Sequence, residues 1–95
     1  MAASLDSNWP ELLLYTRQGC CLCEGLEERL RALQPAPPLQ LLDVDADPAL
    51  QARFGLEVPV LALTDGALLP RVPPRLQGER LAEWLRRALN GLSLV

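Results

Sequence analysis

The sequence has 95 residues, 49% of them hydrophobic and 22% charged, a size and balance that predict one globular domain over residues 1–95 and exclude a disordered chain or a second domain. The domain core is expected over about 11–90, behind an N-terminal tail over 1–10. A formal net charge of −3, from 12 acids against 9 cations, argues against nucleic acid as a partner, because phosphate binding requires clustered positive charge.

Met1 to Pro10 has no basic start and no apolar run, and it carries Asp6; it does not read as a signal peptide. Glu11-Leu-Leu-Leu-Tyr-Thr16 has the unbroken apolar character of a strand buried on both faces. Leu22, Leu26, Leu30 and Leu33 then fall on one stripe of an amphipathic helix, which Pro35 to Pro38 must end. Leu39 to Val44 reads as a second strand, and strand, helix, strand at this spacing is a βαβ unit with parallel strands. Asp47-Pro48 predicts an N-cap followed by proline in the first helical turn, with Leu50 and Phe54 facing inward and Gly55 as the stop. Val58 to Leu63 and Ala67 to Leu69 flank Asp65-Gly66, a hairpin signal that predicts a third and a fourth strand. The last helix is expected from Glu79 to Asn90, burying Leu81, Trp84, Leu85, Ala88 and Leu89 and stopping at Gly91. No stretch approaches the roughly 18 apolar residues of a membrane span. The order β-α-β-α-β-β-α, an α/β chain with a mixed four-stranded sheet flanked by helices, is that of the thioredoxin fold.

The candidate chemistry lies in Gly19-Cys20-Cys21-Leu22-Cys23. With no histidine in the chain, Cys/His and Ser/His catalysis are excluded, and the absence of lysine excludes Schiff-base chemistry. Cys20 and Cys23 are spaced C-x-x-C where a strand gives way to a helix. At a helix N-terminus, unpaired N–H groups and the positive end of the dipole favour a thiolate, so Cys20 is expected to have a depressed pKa, with Arg17 nearby adding to the effect. Three positions along a helix amount to a rotation of about 60°, which brings the sulfur of Cys23 within reach of that of Cys20. Cys23 also lies nearer the leucine stripe. The expected division of labour has Cys20 attacking a disulfide and Cys23 resolving the mixed disulfide.

Other readings of the same residues are inert buried thiols, or ligands of a metal or an iron–sulfur cluster held by Cys20 across a dimer. Zinc in a monomer would lack a fourth ligand. Cys21 reads as a small residue in a variable slot. Tyr15, Phe54 and Trp84 read as core, Trp9 as either a cap on the core or a surface residue, and Asp43, Asp45 and Asp47 as caps and turns rather than a calcium loop. Arg17, Arg71 and Arg75 are cations that either solvent or an anionic group would engage.

Leu14-Tyr-Thr-Arg-Gln-Gly-Cys-Cys-Leu-Cys23, Asp43-Val-Asp-Ala-Asp-Pro48, Val58-Pro-Val60 and Asp65-Gly66 together resemble the glutaredoxin-like family of small thioredoxin-fold proteins. The resemblance spans roughly residues 11 to 90 and implies a thiol–disulfide oxidoreductase. In that reading Cys20 is the nucleophile, Cys23 the resolving thiol, and Pro59 a cis-proline facing the dithiol, with the Val58 backbone as a substrate platform. Arg17 joins Val58 and Pro59 as an expected substrate contact. The implied partner is a disulfide-containing protein or a small thiol substrate. The chain is expected to be a cytoplasmic monomer with no resident cofactor or metal. Where glutathione-using members usually have Gly-Gly and an acid after the fourth strand, this chain has Leu69-Pro-Arg-Val-Pro-Pro74, so glutathione enters as a candidate reductant only. A redox-inactive binding module is a further alternative.

Overall fold

The computed structural model describes residues 9–93; most of the tail expected over 1–10 lies outside the described residues. The chain forms β1 (Leu12–Thr16), α1 (Cys21–Arg31), β2 (Leu39–Asp43), a 3₁₀ turn (Val44–Ala46), α2 (Pro48–Phe54), β3 (Val60–Leu63) and α3 (Gly78–Ser93). The sheet order is β2-β1-β3. β1 runs parallel to β2, with Leu12 opposite Leu39, and antiparallel to β3, with Leu12 opposite Leu63.

The central position of β1 follows from its composition, since only an apolar strand can be covered on both faces. Leu12 and Leu14 are fully buried on one face, where they join Leu26, Leu30 and Leu33 at and just after α1 and Leu81, Ala82 and Leu85 from α3 in one cluster. Successive strand residues point to opposite faces. Tyr15 accordingly looks the other way and stacks on Phe54 of α2, with ring centroids 4.5 Å apart. Helices α1 and α3 therefore cover one face of the sheet and α2 the other. Trp9 caps the core cluster: its indole Nε1 donates to Pro35 O at 2.8 Å and Arg86 lies over its ring.

Three expectations are corrected. The described residues contain a three-stranded sheet, not a four-stranded one. The Asp65-Gly66 turn does form, with Gly66 at φ 96° and Leu63 N–H donating to Ala67 O at 2.8 Å. Its return arm makes only the single bridge Ala62–Leu68. Pro70 brings no N–H to extend the ladder, and the prolines that follow commit the chain to an irregular link.

Helix α3 runs on through Gly91 to Ser93. Gly91 is not among the glycines with positive φ, and without a left-handed residue there is no αL stop. Leu22, expected on the buried stripe, is 58% exposed; it sits in the first turn of α1, ahead of the part of the helix that crosses the sheet.

Candidate active site

β1 delivers the chain to the turn Arg17-Gln18-Gly19-Cys20, closed by Cys20 N–H donating to Arg17 O at 3.2 Å. Gly19 adopts φ 78°, a left-handed value at the third turn position that favours glycine. The turn hands over directly to α1. Cys20 is the N-cap residue, still extended at φ −89° and ψ 103°, and its Sγ accepts the Cys23 N–H at 3.1 Å. A cysteine sulfur thus occupies the place that a serine or aspartate oxygen usually takes at a helix start.

Cys20 and Cys23 are joined as a disulfide, with Cα atoms 5.2 Å apart. Their environments differ: Cys20 is half-buried, whereas Cys23 is 1% exposed at the edge of the core. Cys21 is a free, exposed thiol. Among the described residues, no group of three or more His, Cys, Asp or Glu side chains converges as a metal site.

Arg17 is fixed in place. Its Nε and Nη2 donate to the two carboxylate oxygens of Asp45 at 3.0 and 2.9 Å, and its Nη1 donates to Gly55 O at 3.0 Å. Gln51 Nε2 adds a bond to Asp45 Oδ1 at 3.1 Å. This fork-on-fork pairing raises the Arg17 pKa and lowers that of Asp45. For both groups the shared hydrogen bond is the largest cause, with charge attraction adding to it and burial opposing it. The clamp joins the turn before Cys20 to the 3₁₀ turn and to the end of α2. Gly55 is needed there, because a Cβ would lie 2.5 Å from Gln51 O and 3.3 Å from Arg17 Nη2. The neighbouring aspartates are caps: Asp43 accepts the Asp45 N–H and Asp47 the Ala49 N–H, each at 2.9 Å.

Val58-Pro59 is a cis peptide. The Val58 N–H donates to Phe54 O at 3.1 Å, so among the described residues its carbonyl is the open backbone group. Pro59 shares one cavity with Leu22, the residue just before Cys23 in the chain. Of the expected site residues, Pro59 meets Leu22 at this cavity, and Cys20 and Cys23 are bonded to each other. Arg17 reaches them through the backbone, its guanidinium being taken up by Asp45 and Gly55.

A family model described as glutaredoxin-like domain (DUF836) matches residues 11–86. The chain belongs to this glutaredoxin-like family. Two solved structures of target protein XcR50 from X. campestris are similar to this glutaredoxin-like chain. The X-ray structure is 35% identical, covers 81% of this chain and 97% of its own, and superposes with a TM-score of 0.61. The solution structure is 34% identical, covers 81% and 94%, and gives 0.59. No curated protein matches the glutaredoxin-like chain.

Sequence reading missed the Arg17–Asp45–Gly55 clamp. Its members lie 28 and 38 positions from Arg17, and their one advance signal was the pattern Asp43-x-Asp45-x-Asp47, in which the outer two aspartates serve as caps and leave the middle one to pair.

Proposed function

We propose that this glutaredoxin-like domain is a thiol–disulfide oxidoreductase that reduces disulfides through Cys20 and Cys23. The observation that carries the reading is the bonded pair itself, in which a half-buried sulfur at the helix N-cap is joined to a buried one. In the reduced protein the backbone N–H of residue 23 and the helix dipole stabilise a Cys20 thiolate. That thiolate attacks one sulfur of a substrate disulfide, and the other leaves as a thiolate and takes a proton from solvent. Cys23 gives up its proton and attacks Cys20 Sγ, which releases the second substrate thiol. Two electrons and two protons have then passed to the substrate, and Cys20–Cys23 is a disulfide awaiting two electrons from an external thiol, for which glutathione is a candidate.

The open Val58 carbonyl and the ring of Pro59 form the platform beside the attacked bond. Arg17 acts there as a positioning residue that holds the turn. The domain works as a monomer over residues 1–95, in a reducing compartment such as the cytoplasm, as an electron carrier in thiol homeostasis. No helix among the described residues is long and apolar enough to cross a membrane.

Turnover with a disulfide substrate tests this reading. Cys20→Ser is expected to reduce the rate to background, Cys23→Ser to accumulate a mixed disulfide on Cys20, and Cys21→Ser to retain most of the rate. Full turnover by Cys20→Ser would overturn the assignment.

A further inference from the structure

Resting on that reading, we propose that the cavity between α1 and the irregular 70–74 link is a substrate subsite. It takes an apolar side chain of a polypeptide disulfide, while Arg71 pairs with a carboxylate next to it in the same polypeptide. The proposal therefore names a class of substrate: proteins whose reducible cysteine has an aliphatic or aromatic neighbour and an acidic residue close by.

The cavity measures about 160 Å³ and is walled by Leu22, Leu26, Pro59 and Val72, with Arg29 and Arg71 completing its charged part. An apolar cavity of about 150 Å³ accommodates a benzene-sized group, so this one suits a single branched or aromatic side chain. Leu22, 58% exposed and adjacent in sequence to the redox pair, is a large apolar surface that such a side chain would cover. Arg29 is held beside the wall: its Nε donates to Gly25 O at 3.2 Å and its Nη1 donates to Leu76 O, tying α1 to the segment just after the link.

Charge selects the second feature. In a chain with a net charge of −3, no carboxylate lines this cavity. Arg71 is exposed and has no hydrogen bond or ion pair among the described residues. It also borders a neighbouring cavity that Glu57 and Pro59 line as well, without an ion pair to Glu57. A polypeptide lying along Val58-Pro59 with its disulfide at Cys20 would bring the next side chain to the Leu22 wall and a following carboxylate to Arg71.

The test compares kcat/KM for four disulfides: a peptide with leucine and glutamate beside its cysteine, the same peptide with lysine for glutamate, the same with glycine for leucine, and glutathione disulfide. Wild type is expected to prefer leucine over glycine by about tenfold, the scale of filling one apolar pocket. It should prefer glutamate over lysine by up to about fivefold, the scale of an exposed ion pair. Arg71→Glu should invert the second preference and leave the first in place. Equal rates across the three peptides, an unchanged glutamate-to-lysine ratio in Arg71→Glu, or equally efficient reduction of glutathione disulfide would overturn the subsite with the oxidoreductase reading intact. Failure of wild type to reduce any of the four would overturn that reading itself.

Discussion

Cys20 closes the turn after β1 through its N–H, opens α1 as the cap, and presents the sulfur that receives a helical N–H. Three residues earlier, Arg17 anchors the same turn to Asp45. The pair has a pH signature. Asp45 is held below its ordinary value by Arg17, so its contribution to stability is complete above its unfolded value of about 3.9 and fades as pH falls through the lower folded value. Arg17 is raised, so its contribution is complete below its unfolded value and fades only as pH rises through the folded one, beyond the physiological range. Wild type should therefore exceed Asp45→Asn in stability by a constant margin at neutral pH, and the margin should shrink below about pH 4 in denaturant titrations. A margin that does not change down to the acid transition would contradict the pairing.

At the scale of elements, α1 shows where burial does and does not act. Leu30 is fully buried in the cluster, whereas Leu22 on the same stripe is mostly exposed. Leu30→Ala should cost about 2–5 kcal/mol by cavity formation. Leu22→Ala should stay within about 0.5 kcal/mol, as surface changes do. Equal losses in chemical denaturation would show that the first turn is buried. The helix starts were legible in the sequence because their signals are local: an Asp-Pro cap for α2 and a C-x-x-C at a strand end for α1. The fourth strand was not, since the hairpin signal of Asp65-Gly66 specifies a turn but not the length of pairing beyond it. Pro70 ends that pairing by removing a donor. Gly91 misled for a related reason, because glycine permits a left-handed stop without enforcing one.

For the whole molecule, Trp9 before the sheet and Trp84 in the last helix pack against the same core cluster. Unfolding followed by tryptophan fluorescence and by far-ultraviolet circular dichroism should therefore give coincident transitions; separated midpoints would divide the chain into independent units. Apart from the fourth strand, the order of elements was readable in advance, as was the pairing of Cys20 with Cys23, because periodicity and a four-residue motif encode them. The clamp on Arg17 and the cavity beside Leu22 were not, since both join segments that only the completed fold brings together. The most direct test of the site is alkylation of the reduced protein over a range of pH, with the modified cysteine located by mass spectrometry. Cys20 should react first and selectively at mildly acidic pH, with a midpoint below the free-thiol value of about 8.5, while Cys23 stays protected. First modification at Cys23, or a Cys20 midpoint at or above the free-thiol value, would contradict a helix-capped nucleophile.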